Sequence, residues 1–430
     1  MLTRLRVKNF KCFEDTGDLE IRPLTFLVGP NSSGKTSLAQ PLLLLQLRVQ
    51  FNGIEDLLAQ SERRSDLGAY REFIFKHNVS RDLEVATEWG PVAGVPGFQF
   101  EVALRYEAAS DQVRVRTSTH RCGGRWRQTV REEPGEQYAG EIQYVAGGEE
   151  KAIPLTDLKP RACFWPVLPS DPAQLSGVTE AVGVHSTDLF FPSRIHQVKH
   201  LGPVREYPKR SYVMTGETFD DVGVRGELAV PALWAALRSK DEDRRTVFSH
   251  AVRWLETLGI ARELRLSGLG DSTMYQATVL DPETGVESSL PDVGFGVSQV
   301  LPVVVQCCMA RPGSTVLIEQ PEIHLHPRAQ YDLGDLFIEA AQRGERTFLI
   351  ETHSEHLLAR VRRRIAERHH SLTRDDVAIY YFQPAPDGTR VQEIALKDNG
   401  QYDEGFPPGF FEEGVDEAVA HLEAIGKNGG

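Results

Sequence analysis

The residues with the plainest chemistry are GPNSSGKT, Gly29 to Thr36, which follow the apolar run Leu24 to Val28 and precede SLAQPLLLLQL. A strand, a glycine loop and a helix in that order make a phosphate cradle, because loop N–H groups point inward and the helix N-terminus adds positive partial charge. Gly29, Pro30, Asn31, Ser32, Ser33, Gly34, Lys35, Thr36 and Ser37 are therefore expected to wrap a nucleoside triphosphate, with Lys35 on the β and γ phosphates. The Thr36 hydroxyl would bind Mg²⁺. Glycine is required at 29 and 34 because a Cβ would block the turn or the approach of a phosphate oxygen.

A second group lies in GSTVLIEQPEIHLHP, Gly313 to Pro327. Thr315 to Ile318 predict a buried strand that delivers Glu319 to the loop end of a sheet, where it holds Mg²⁺ beside Thr36. Upstream, the loop Gly294 to Gln299 opens an apolar helix, and Gly296, Ser298 and Gln299 would make a second anion site there. Downstream, the apolar strand Thr347 to Ile350 ends in a polar turn that carries His353. Histidines 324, 326 and 353 admit a metal, although no cysteine or second carboxylate stands at ligand spacing, so interface or packing roles are preferred.

These groups need elements to hold them. LTRLRVKNF and LEIRPLTFLV alternate around the turn cluster EDTGD, which predicts a strand, a turn and the strand that feeds the phosphate loop. DLEVATEW, FQFEVALRYEA, QVRVRTSTH and EIQYVAGG predict a β lobe over about residues 80 to 155, inserted after the first helix. Residues 160 to 210 are proline-rich and lack period; two helices are then expected around ELAVPALWAALRS and RRTVFSHAVRWLETLG. From Met274 the pattern returns to strand, loop, helix, strand.

With 430 residues and a net charge of −13, the chain can bury a full core and does not suit a protein that coats nucleic acid over its whole surface. Five cysteines without metal spacing, the pair Cys307 and Cys308 within an apolar run, fit packing roles in a reducing cytosol. MLTRLRVKNF lacks a signal-peptide apolar core, and the longest apolar runs are too short for a bilayer, so no membrane segment is expected and the location is cytoplasmic.

Phosphate loop, signature loop, Walker B strand and switch histidine in this order resemble the ATPase heads of the ABC superclass. LTRLRVKNFKCF followed by GPNSSGKTSL looks like the SMC, RecF and OLD branch, strongly over residues 1 to 50 and 285 to 360 and weakly between. HLGPVREYPKR, His200 to Arg210, and the C-terminal IALKDNGQYDEGFPPGFFEEGVDE resemble stand-alone bacterial ATPases with a small C-terminal domain of unknown function. Such ATPases are commonly encoded beside nucleases in antiviral defence islands, as in the Septu type. The resemblance implies an α/β P-loop fold with head segments at 1–60 and 271–370, an inserted β-rich and helical lobe at 61–270, and a C-terminal appendage at 371–430. It also implies a composite site, in which Gly296, Ser298 and Gln299 of a second copy close over the γ-phosphate and two ATP molecules join a dimer. Asn9, Lys11 and Phe13 would lie near base or ribose, or are plain strand residues; Gln46 and Gln60 are candidates for a Q-loop.

The family pattern places a carboxylate directly after the Mg²⁺ ligand to activate water, and here that position is Gln320, whose amide cannot be a general base. Either Glu322 takes the role, with His353 sensing the γ-phosphate, or hydrolysis is slow and ATP acts as a latch. OLD nucleases carry a metal-binding Toprim domain after the ATPase; the acids Asp403 to Glu417 do not resemble one, and no intrinsic nuclease is expected. The expected function is an ATPase that controls a partner effector, a nuclease, in defence; the alternative is a repair ATPase that clamps DNA directly. RVRRRIAERHH, Arg360 to His370, is the basic patch for DNA or else a solvated helix face, and Arg205 and Arg210 reach nucleotide or partner or else form salt bridges.

Overall fold

A computed structural model describes residues 1–50, 69–92, 96–134, 137–158, 167, 169, 171–182 and 195–403. In chain order the strands begin with β1 (Leu2–Phe10), β2 (Phe13–Asp15), β3 (Leu19–Glu20) and β4 (Leu24–Val28), followed by helix α1 (Lys35–Gln50). Six strands follow, β5 (Leu83–Trp89), β6 (Phe98–Glu107), β7 (Gln112–Cys122), β8 (Trp126–Glu133), β9 (Gln137–Ala146) and β10 (Glu149–Leu158), then α2 (Pro172–Val182), β11 (Val198–Leu201) and β12 (Tyr212–Val213). Helices α3 (Ala229–Leu237) and α4 (Glu242–Thr257) lead to β13 (Glu263–Gly268), β14 (Met274–Leu280), β15 (Glu287–Ser289) and α5 (Phe295–Met309). The chain continues through β16 (Thr315–Glu319), α6 (Pro327–Gln342), β17 (Thr347–Glu351), α7 (Glu355–Ala366), β18 (Val377–Gln383) and β19 (Arg390–Glu393).

Among the described residues, β4 lies inside a six-stranded sheet ordered β11-β16-β17-β4-β18-β19, parallel except for β19. Every residue of β4, β16 and β17 is buried, as continuous apolar runs in a sheet covered on both faces require. Because these strands are parallel, the turns after β4, β16 and β17 emerge on one edge, at the carboxyl ends where open α/β sheets bind ligands. The Glu319–Glu351 register pair fixes two carboxylates side by side on that edge.

Among the described residues the other large sheet has nine strands, ordered β10-β9-β8-β7-β6-β5-β1-β2 with β3 also on β1. Thus β1 and β4 belong to different sheets, and the predicted β lobe continues β1 rather than standing apart. A register shift between Leu2 and Arg4 and a left-handed Asn9 (φ 56°) let Leu2, Leu5, Val7 and Phe10 all face inward despite their uneven spacing. The strands β8, β10 and β11 and the helix α2 went unread in the sequence, β11 because it lies in the proline-rich stretch without period. Conversely, β18 pairs with β4, so the parallel sheet runs past residue 370, where the sequence pattern ended the head. The apolar run VAIYYF is the cause, since it fits a fully buried strand.

Candidate functional site

Sterics shape the loop wall. Gly29 has φ 144°, and a Cβ there would lie 2.6 Å from the Phe382 carbonyl oxygen; Gly34 has φ 98°, and its Cβ would collide with Cys12 Sγ. Pro30, Asn31 and Ser32 are exposed at the tip, Ser33 and Lys35 are buried, and Ser37 sits in the first turn of α1. Lys35 Nζ donates to the carbonyl oxygens of Gly29 at 3.1 Å and Pro30 at 2.7 Å, so the ammonium closes its own loop. Burial lowers its pKa, against the opposing charges of Glu351 and Glu322. From behind, Thr389 Oγ1 donates to the Ser33 carbonyl oxygen at 2.9 Å and its N–H to that of Cys12 at 2.8 Å, so the β18–β19 turn props the loop.

The opposite wall is acidic. Thr36 Oγ1 donates to Glu351 Oε2 at 2.7 Å. Burial pushes the Glu351 carboxyl up to about 7; Glu319 and Glu322 add to the rise, while the Thr36 bond and Lys35 oppose it. Glu319 Oε1 is 2.6 Å from His200 Nε2, and Arg205 Nη2 donates to the Glu319 carbonyl oxygen at 2.9 Å. Burial lowers the Arg205 pKa to about 10. Glu322 Oε1 accepts the His353 backbone N–H at 2.7 Å, whereas Glu322 Oε2 and His353 Nε2 are buried without a partner. Burial raises the Glu322 pKa and lowers that of His353. Gln320 takes a left-handed turn (φ 46°) and donates its N–H to the Glu351 carbonyl oxygen at 2.7 Å.

These donors suit Mg²⁺ with ATP: hydroxyl and carboxylate oxygens beside a phosphate-loop lysine, with unpartnered polar atoms at Glu322 and His353. Among the described residues no group of three or more His, Cys, Asp and Glu side chains could hold a metal alone, so histidines 324, 326 and 353 do not converge on one. Mg²⁺ is typically bound by one or two carboxylates plus substrate phosphates. His324 instead meets the Phe295 ring edge-on with centroids 4.8 Å apart, and His326 caps α6 by accepting the Arg328 N–H.

The second anion loop and the first line two cavities that both border Glu227. Ser298 lines a cavity with Tyr207 and Gly226, whereas Thr36 and Glu319 line another of about 890 Å³. Ser298 Oγ donates to the Phe295 carbonyl oxygen, Gln299 Nε2 is buried without a partner, and Gly296 packs close to the His324 carbonyl. Asn9 and Lys11 flank the β1–β2 turn at positive φ; the Asn9 amide is committed to the Asp82 carbonyl oxygen and to Arg81, and Lys11 leans over Phe10. Gln46 is spent on the Val198 carbonyl oxygen, while Gln60 lies outside the described residues, as do Cys163 and the acids from Glu404 to Glu417.

The basic run resolves as a paired helix face rather than a patch. Arg360 binds Asp332 and Asp335, Arg364 binds Asp335 and Glu367, Arg363 binds Glu367, and Arg362 lies over Tyr402 with Nε on the Gly400 carbonyl oxygen. The i, i+3 and i, i+4 spacing of Arg363 and Arg364 to Glu367 explains part of this neutralisation. Arg210 likewise forms an exposed bridge to Asp292.

Two ATPase models match either side of the inserted strands: "AAA ATPase domain" over residues 1–86 and "AAA domain, putative AbiEii toxin, Type IV TA system" over residues 214–359. They bracket the same loop and carboxylates that the geometry joins. Both matches are to AAA ATPase domains, so the chain resembles an ATPase head on either side of the inserted strands. The head is similar to an OLD nuclease of Thermus scotoductus, 24% identical over 94% of this chain and 68% of that protein. It aligns at 10% identity with the SMC head domain from Thermotoga maritima, covering 92% of this chain and 99% of that one with a TM-score of 0.37. A Pyrococcus furiosus Smc head with an extended coiled coil, bound to the C-terminal domain of ScpA, aligns at 12% identity over 99% of both chains with a TM-score of 0.42. Among the described residues of the head, no helix is long and apolar enough to cross a membrane.

Sequence reasoning missed Glu351 and His200 as parts of this site, whereas Arg205, read as reaching nucleotide or partner or else forming a salt bridge, lies on the Glu319 carbonyl oxygen. Glu351 had a signal: it follows the strand Thr347 to Ile350 just as Glu319 follows Thr315 to Ile318. His200 had none beyond the motif that contains it, because only the β11–β16 pairing brings it to Glu319.

Proposed function

We propose that this chain binds Mg·ATP and hydrolyses it slowly, forms ATP-sandwiched dimers or larger assemblies, and controls a partner effector, a nuclease, in bacterial antiviral defence. The observation that carries the reading is the acidic wall: Gln320 stands where an activating carboxylate is expected, while Glu322 keeps one carboxylate oxygen unpartnered beside His353. Thr36 and Glu319 would hold Mg²⁺, which supplies charge neutralisation at the phosphates. Lys35 grounds the β and γ phosphates, and Glu322 or Gln320 orients water while His353 reads the γ-phosphate. Ser298, with Gly296 and Gln299, acts in trans on the nucleotide of a second copy. Asn9 and Lys11 border the base side of the loop.

The pairing of the α7 arginines speaks against a DNA clamp built on that helix. Nuclease action is assigned to the partner, although the relative from Thermus bears the name of a nuclease. The test is light scattering of the purified chain with and without Mg·ATP, together with phosphate release, for the parent and Lys35→Ala. ATP-dependent assembly with little turnover, lost in the variant, is expected. A constitutive monomer with fast turnover, or cleavage of DNA by the chain alone, would overturn the proposal.

A further inference from the structure

The motif HLGPVR takes no part in the phosphate cradle, yet it ends on the same carboxylate. β11 is the one strand of the parallel sheet that comes from the inserted segment, and it pairs in parallel with β16, His200 opposite Leu317 and Leu201 opposite Ile318. That register leaves His200 one strand away from Glu319, with Nε2 2.6 Å from Oε1. A carboxylate oxygen accepts, so Nε2 is the donor in this contact, and Nδ1 is buried without a partner. Two residues after β11 the chain turns back at Pro203, and Arg205, 6% exposed, spans the Gly202 and Glu319 carbonyl oxygens. Glu319 is thus gripped twice, at the side chain by an imidazole and at the backbone by a guanidinium, and both grips come from the insertion.

Holding a carboxylate matters because a metal ligand free to rotate must lose that freedom on binding, and groups that orient ligands usually carry a large share of metal affinity. Gln46, the amide expected to serve near the nucleotide, is committed to the Val198 carbonyl oxygen and holds β11 in place instead. The cavity of about 890 Å³ lined by Thr36, Gln40, His200, Arg225 and Glu319 reaches from the metal side of the site to the segment that follows Arg205.

We infer that His200 is a positioning residue for ATP hydrolysis, which fixes the Glu319 carboxylate and thereby ties the Mg²⁺ affinity of the site to the placement of the inserted segment. The inference rests on the ATPase reading above. It does not make His200 a proton carrier; the histidine acts through Glu319 and does not touch substrate.

The test is calorimetric binding of ATP in Mg²⁺ and in EDTA, for the parent, His200→Ala and His200→Gln, with turnover measured alongside. The parent binds more tightly in Mg²⁺. In H200A that gain falls by about 10- to 100-fold, the usual cost of losing a group that orients a metal ligand, while affinity in EDTA stays within about twofold. H200Q, whose amide N–H reaches the same oxygen, recovers most of the gain. An unchanged Mg²⁺ gain in H200A overturns the inference, and so does an equal loss in EDTA, which marks a merely structural histidine. A parent that binds no ATP in either buffer removes the ATPase reading and this inference with it.

Discussion

On one wall of the phosphate site, Gly29 to Thr36 is shaped by what cannot fit: the Phe382 carbonyl excludes a side chain at Gly29 and Cys12 excludes one at Gly34. On the other wall, Glu319, Glu322 and Glu351 crowd into a buried edge, where lost solvent opposes ionisation of Glu322 and Glu351 and like charge adds to it at Glu351. The first wall is settled before any ligand arrives. The second is an electrostatic cost in the free protein that a cation relieves, so the fold spends stability there in order to bind. A preorganised wall is tested by deleting its charge, a strained wall by neutralising it.

The largest effect is expected at Lys35. Lys35→Ala removes the ammonium that closes the loop and that the proposed function sets on the phosphates, and phosphate release should fall by about 10³-fold. Retained turnover would mean that the loop wall is not where phosphate binds. Next, Glu322→Gln should lower turnover by about 10², the size of a lost general base, with ATP affinity in EDTA kept. Turnover equal to the parent's would leave Gln320 and a latch.

Glu351→Gln sharpens the contrast through stability. The folded pKa of about 7 exceeds the ordinary value of 4.5, so the folded state holds this proton more tightly than the unfolded one. Its contribution is present in full below the unfolded value and is lost as pH rises through 7. The nucleotide-free variant should therefore match the parent near pH 4.5 and exceed it at pH 8 by roughly 2–3 kcal/mol in urea unfolding. A parent and variant that lose stability in parallel across that range would show that Glu351 is not strained. Smallest of all, Arg363→Ala, at an exposed pair on α7, should shift stability by less than about 0.5 kcal/mol and leave salt-dependent DNA binding where it was. A large loss of DNA binding would restore the clamp.

The same contrast decides what could be read from sequence. The loop wall is local: glycines, lysine and threonine are adjacent in the chain, and sterics demand those residue types. The acidic wall is assembled by register. Glu319 was legible because an apolar strand announces it, and Glu351 shared that form but was passed over for His353. His200 and Arg205 depend on β11 lying beside β16, a pairing of residues 198–201 with residues 315–318 that no periodicity encodes. The arginine run failed as a patch for a related reason, since two of its three acidic partners, Asp332 and Asp335, come from another helix.

Consider finally when the site can exist. The loop strand β4 is flanked by β17 and β18, and the loop itself leans on Thr389, 356 residues after Ser33. At synthesis rates of about 5–20 residues per second, the loop leaves the ribosome on the order of 20–70 s before its support does. Through that interval Leu42 to Leu45 lack the part of their apolar cluster that β16, β17 and β18 supply, and the nascent chain is exposed to aggregation and to chaperone capture. Nucleotide binding is therefore an event of the finished head, and bound ATP would report that the last strands have been placed.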